Sequence, residues 1–269
     1  MAYSLPPSRY RHALQQARTR QGRRKSQFFI CEGIRCCWEA LRQQPEAVEI
    51  AFFDTAMIDG VGSKDKGLQE LIELCDSERL AWIDLESKTF KNYAVTKNPQ
   101  GIILLGRRDL LALEVGGTHD PFILLLDGVA DPGNLGTILR TAHGVGLRQV
   151  WYTKGSSDPF NPKTVRAGMG AQFSLGLREF STSDELQENL AATGIKQTWI
   201  TSPRAGISCY SDDFELRGSV LVLGNEAHGP ELSAGGDYVH IPMPGNSESL
   251  NVAQAGTVFL FEGVRRGIL

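Results

Sequence analysis

Over 269 residues the chain has no apolar run near the roughly 18 needed to cross a bilayer. Its opening stretch, MAYSLPPSRYRHALQQ, also lacks the apolar core of a secretory signal, so a soluble, cytoplasmic protein is expected. Cys31, Cys36, Cys37, Cys75 and Cys209 are odd in number and form no CxxC pair, a pattern of reduced thiols that gives no expectation of a metal. Cys36 and Cys37, beside Trp38, read as helix packing. Two phosphate signatures are absent as well. The glycines between Gly60 and Gly67 do not make GxxxxGK[ST], and Gly133 with Gly136 gives GxxG where a dinucleotide fold needs GxGxxG. A nucleotide-dependent α/β enzyme of either kind is thereby disfavoured.

Acidic residues are missing from one region in particular. The net charge is −3, yet no Asp or Glu precedes Glu32, while Arg9, Arg11, Arg18, Arg20, Arg23, Arg24 and Lys25 are all basic. Such a basic arm reads as an RNA-phosphate contact; the competing reading is a solvated helix with a disordered tail.

Beyond the arm, hydrophobic patterning predicts an α/β chain in two parts. In the first part Phe28–Cys31, Val48–Phe53, Leu80–Leu85 and Gly101–Leu105 read as strands, with helices over Ile34–Arg42 and Lys64–Glu78. Paired glycines in LEVGGTHD break the pattern, so the expected division is 1–112 and 119–269. The second part reads as βα units. Strands are expected at Phe122–Leu126, Gln149–Thr153, Phe173–Leu177, Thr198–Thr201 and Val220–Leu223, with helices opening at Asn161-Pro162 and Ser183. That alternation implies a mostly parallel sheet covered by helices.

Three stretches of the second part have the look of a site. In DGVADPGNLGTILRTA a buried strand ends at Asp127-Gly128, turn residues follow, and Leu135, Ile138, Leu139 and Ala142 begin an amphipathic helix that also carries Arg140. LGNEAHGP, from Leu223 to Pro230, places a carboxylate in a loop at a strand end. IPMPGNSESLN, from Ile241 to Asn251, is an irregular loop entering a helix rich in small residues. Loops of this kind expose backbone N–H and C=O groups to a flat polar ligand.

Taken together, N-x-G-x-I-x-R-T-A at Asn134–Ala142, L-G-N-E-x-x-G at Leu223–Gly229 and I-P-M-x-G-x-x-x-S-L-N at Ile241–Asn251 resemble the SpoU (TrmH-like) branch of the SPOUT RNA methyltransferases. The resemblance covers about 150 C-terminal residues, and the N-terminal part looks like the L30e-like substrate-binding domain often joined to them. It implies methyl transfer from S-adenosylmethionine to an RNA ribose 2′-hydroxyl by a homodimer whose C-terminal segment is threaded into a trefoil knot. Large-subunit ribosomal RNA is the expected substrate. Transfer RNA is the alternative, and a catalytically silent RNA-binding homologue is the other. Carried over by motif position, Leu223, Gly224, Ile241, Met243 and Leu250 fall at cofactor contacts, and Asn134, Arg140, Glu226, Ser249 and Asn251 at catalytic or RNA-positioning sites. An arginine side chain is a permanent cation, so Arg140 is expected to hold the neighbouring phosphate and developing alkoxide rather than take the proton. His143 and His228 match no family catalytic position.

Overall fold

The computed structural model describes residues 6–59, 66–112, 120–224, 235–245 and 247–269. The chain forms two compact units, one made of Met1–Ala112 with Asp158–Phe173, the other of Leu113–Ser157 with Ser174–Leu269.

The first unit opens with α1 (Ser8–Arg18) and α2 (Arg20–Ser26). These helices carry the basic residues of the expected arm. Tyr10, Ala13, Leu14 and Ala17 follow the i, i+3, i+4, i+7 spacing, and all four enter the core with Ile30, Phe52, Phe90 and Leu105. The Thr19 hydroxyl caps α2 by accepting from Gly22 N at 3.0 Å, and Gln27, in the left-handed region at φ 61°, ends it. There follow β1 (Phe28–Glu32), α3 (Ile34–Gln43), β2 (Val48–Asp54), α4 (Thr55–Asp59), α5 (Lys66–Ser77), β3 (Trp82–Leu85), α6 (Ser87–Tyr93) and β4 (Ile102–Arg107). The sheet order is β1-β4-β2-β3, with β4 antiparallel to both neighbours and β3 parallel to β2. Gly106 on β4 leaves room for the Phe29 ring, since a Cβ there would lie 2.4 Å from Phe29 Cζ.

The segment Asp158–Phe173 completes this unit. Phe160 and Phe173 pack their rings on Phe29, with centroids 5.7 and 5.2 Å away. The expected strand at Phe173–Leu177 is therefore displaced. Phe173 closes a 3-10 turn, Ala171–Phe173, because its side chain belongs to that aromatic cluster, and the strand begins only at Gly176.

The second unit contains β5 (Ile123–Asp127), α7 (Pro132–Gly144) and β6 (Gln149–Thr153); the chain then contributes α8 (Pro162–Ala167) to the first unit. It continues with β7 (Gly176–Phe180), α9 (Ser183–Thr193), β8 (Gln197–Thr201), β9 (Ile207–Ser208), β10 (Ser219–Gly224), β11 (Asp237–His240) and α10 (Val252–Arg265). The seven-stranded sheet runs β7-β6-β5-β10-β8-β11-β9, and its strand pairs are parallel, as the βα alternation predicts. From β5 the chain builds one flank through β6 and β7, then crosses to β8 and returns to pair β10 beside β5. The two central strands thus meet at a topological switch point, with Asp127 opposite Gly224 at their C-terminal ends, where open α/β sheets hold ligands. The trefoil threading implied by the resemblance would run through 225–234, outside the described residues.

Candidate active site

The switch point is built from short polar side chains that fix the loop after β5. Asp127 is 1% exposed, and its Oδ1 accepts from the Thr153 hydroxyl at 2.9 Å. Thr153 Oγ1 in turn accepts from Gly128 N at 3.0 Å, and Ser156 Oγ accepts from Val129 N at 3.1 Å while donating to Leu126 O at 3.0 Å. Gly128 sits at φ 75°, the conformation this turn needs and that residues with a Cβ adopt at a cost. Asp131 then caps α7 by accepting from Asn134 N at 2.9 Å, with Pro132 in the first turn. The Asp131 cap follows from the Asp-Pro pair in the sequence, whereas Thr153 and Ser156 carry no such signal, since short polar residues after a strand look like ordinary turn chemistry.

Opposite this loop, Asn251 caps α10. Its Oδ1 accepts from Ala253 N at 3.0 Å and Gln254 N at 3.4 Å, which turns its Nδ2 to donate to Asn134 Oδ1 at 3.0 Å. Two of the expected site residues, 117 positions apart, are thereby joined at one point. A cavity of about 70 Å³ is lined there by Gly128, Val129, Ala130, Asn134, Gly224 and Val252 among the described residues. α10 approaches closely because Gly256 lies against Leu223 and Ile138, where a Cβ would come 2.9 Å from Leu223 Cδ1.

The other expected residues divide. Ile241, Met243 and Leu250 are half-buried and Ser249 is exposed, all on the irregular segment between β11 and α10. Leu223 has its side chain buried in the core, which leaves the backbone as its means of contact with a cofactor. Arg140 is exposed on α7 and makes no hydrogen bond or ion pair among the described residues. It stands six residues beyond Asn134, about 9 Å along the helix axis and off its face. Glu226 lies outside the described residues.

The chain matches the profile of the SpoU rRNA methylase family over residues 121–261 and that of the MRM3-like substrate-binding domain over residues 12–104. The chain belongs to the SpoU rRNA methylase family. It is 29% identical to the Bacillus subtilis 23S rRNA (guanosine(2553)-2′-O)-methyltransferase, an alignment covering 90% of this chain and 91% of that protein. It is 28% identical to the mouse mitochondrial rRNA methyltransferase 3, covering 93% of this chain and 70% of the relative. Of the human counterpart, also 28% identical, the match spans 57% of the length and 68% of this chain. A TrmH-family protein of Porphyromonas gingivalis has the same fold, with a TM-score of 0.77, 29% identity and coverage of 97% of this chain and 99% of that one.

For this SpoU-family chain the basic residues of the N-terminal helices are not equivalent. Arg11 is half-buried, and Arg9, Arg18, Arg20, Arg24 and Lys25 are exposed. Arg9 lies over the Tyr10 ring at 4.3 Å, and Arg18 donates to Asn92 O at 2.7 Å. Arg23 is a correction to the RNA-contact set. It is 2% exposed, its Nε is 2.7 Å from Asp158 Oδ2, and its Nη1 donates to Ala17 O at 3.0 Å. A guanidinium neutralised and walled in this way serves the fold, and no phosphate can reach it.

Proposed function

We propose that the chain is an S-adenosylmethionine-dependent enzyme that methylates a ribose 2′-oxygen of large-subunit ribosomal RNA. The observation that carries this reading is the Asn251–Asn134 hydrogen bond at the end of the central strands, within a chain of the SpoU family. Support for the RNA comes from the relatives, since the Bacillus subtilis protein is named for 23S rRNA 2′-O-methylation and the mouse protein for rRNA methylation.

The residues present suit the cofactor. Ile241, Met243 and Leu250 offer half-buried apolar surface on an irregular loop, and Gly128 and Gly224 admit close approach to the strand ends. These residues, with the backbone around Gly224, would hold the adenosine portion. Bound there, S-adenosylmethionine supplies a methyl group on a positively charged sulfur, open to in-line displacement by the ribose oxygen. The chain's own task is orientation and charge. The hydrogen bond from Asn251 to Asn134 Oδ1 fixes the orientation of both amides at this point. In this reading Arg140 binds the adjoining phosphate and stabilises the negative charge that develops on the ribose oxygen as its proton passes to water, with Glu226 and Ser249 positioning the groups.

The same reading makes the enzyme a homodimer in the cytoplasm. On α10 Ala253, Gly256 and Phe259 are buried, whereas Phe261 and Val264 remain 56% and 40% exposed and provide apolar surface for a second copy. Among the described residues no helix is long and apolar enough to cross a membrane, and none group as metal ligands.

The test is to incubate the protein with labelled S-adenosylmethionine and unmodified total RNA, then resolve the RNA by size. Label in the large-subunit RNA is expected. Label confined to transfer RNA would move the substrate to the alternative, and no transfer to any RNA would leave a silent RNA-binding homologue.

A further inference from the structure

The first unit contains a larger cavity than the one beside Asn134. It measures about 350 Å³ and is walled by the start of α3, the segment from Thr96 to Gln100, and Arg166 with Met169 from the segment Asp158–Phe173. Sites for small organic ligands occupy about 300–1,000 Å³, so this space suits a nucleotide-sized group and far exceeds a lone phosphate.

Its chemistry is cationic and rich in donors. Arg35 has only a loose contact with Glu39 at 3.9 Å, its own side chain being 72% exposed, so its guanidinium is available to a stronger anion. Arg166 and Asn98 are exposed, and neither makes a hydrogen bond or ion pair among the described residues. Gln100 Oε1 accepts from Ile34 N at 3.1 Å, which commits its oxygen and leaves N–H donation for a ligand. The carboxylate in the cavity wall, Glu32, is occupied by Val95 N at 2.5 Å and by the Thr96 hydroxyl. Met169 gives an apolar contact, and its φ of 52° shows a rim held in the left-handed region, a costly backbone for a residue with a Cβ.

We infer that this cleft binds one unpaired nucleotide of the RNA substrate, with its base against Met169 and a flanking phosphate on Arg35 and Arg166. Single-stranded RNA is read by unstacked bases that stack on aromatic rings or guanidinium planes and use their edges for hydrogen bonds, and the cleft supplies two guanidinium groups and the edge donors of Asn98 and Gln100. The inference rests on the proposed function only for the identity of the ligand as RNA; the cavity belongs to the first unit and shares no lining residue with the cavity beside Asn134.

The experiment uses the full chain and a 23S rRNA transcript made without modifications. Anisotropy reports RNA binding, calorimetry reports S-adenosylmethionine binding, and single-turnover labelling reports methylation. Arg35→Ala combined with Arg166→Ala, and separately Asn98→Ala, should weaken RNA binding by about tenfold or more, as loss of a hydrogen bond to a charged or polar partner does. Affinity for S-adenosylmethionine and the rate at saturating RNA should stay unchanged, and the lysine pair Arg35→Lys with Arg166→Lys should recover part of the binding. Arg42→Ala, at the far end of the same helix, is the control for general loss of charge. RNA binding by the pocket variants equal to that of Arg42→Ala would overturn the proposal. If RNA binding depends on the pocket but no methyl group is transferred, the site stands and the catalytic reading fails.

Discussion

Arg23 and Asp158 provide the most exposed test of how the first unit is held together. Their side chains are 2% and 8% exposed and meet at 2.7 Å, with Arg108 a weaker third member at 3.7 Å from Asp158. In Arg23→Ala the Asp158 carboxylate keeps Arg108 and the Phe160 N–H, 2.9 Å from its Oδ1, and Ala17 O loses its donor. Removing one partner of a buried pair costs about 3–5 kcal/mol; because Arg108 remains, we expect about 3. For a unit of this size that lowers Tm by roughly 10 °C, measured by calorimetry. Asp158→Asn should recover part of the loss in the Arg23→Ala background, since it removes the stranded charge. The exposed neighbours should behave in the opposite way. Arg24→Ala with Lys25→Ala should leave Tm within about a degree and flatten the slope of log RNA affinity against log salt by roughly 1.4. An Arg23→Ala protein as stable as the parent, with RNA binding weakened like that of the surface pair, would refute the assignment.

Asn251→Asp keeps the oxygen that caps α10 and removes the N–H donor to Asn134, so methyl transfer should fall about 100-fold in single-turnover assays with little change in Tm; unchanged turnover would take Asn251 out of the site. Glu262, 4% exposed, is held below the usual carboxylate range by hydrogen bonds from Arg265 and then Arg266, against its burial. A depressed folded value means the stabilisation is present above the unfolded value near 4.3 and is lost as pH falls through the folded one. Glu262→Gln should therefore cost about 1.5–3 kcal/mol at pH 7 in urea unfolding, and the gap between the two proteins should close as pH falls through the folded value. A gap that persists undiminished at pH 3 would contradict this.

Much of the fold could be read from local pattern. The central strands are continuous apolar runs, and both caps, Asp131 and Asn161, precede prolines as the sequence suggests. What was missed depends on distant partners. Arg23 looks like Arg24 in sequence, and only Asp158, 135 positions away, distinguishes them. The charge of the first helix masked the Tyr10–Leu14 spacing that buries it. Phe173 was assigned to a strand because its neighbours are apolar, whereas the Phe29 and Phe160 rings claim it for a turn. At the site, the motifs brought Asn134 and Asn251 to notice by resemblance, but their contact is a property of the fold. The hydroxyls of Thr153 and Ser156, which hold the loop beneath them, carried no local signal.

The central claim is that the product is a ribose ether, and the chemical position of the transferred methyl tests it most directly. Unmodified 23S rRNA should be incubated with the protein and methyl-labelled S-adenosylmethionine, digested to nucleosides and separated. All of the label is expected on a 2′-O-methylated nucleoside, and Arg140→Ala should lower its yield about 100-fold. Label on a base, with the ribose oxygens unmodified, would contradict the account.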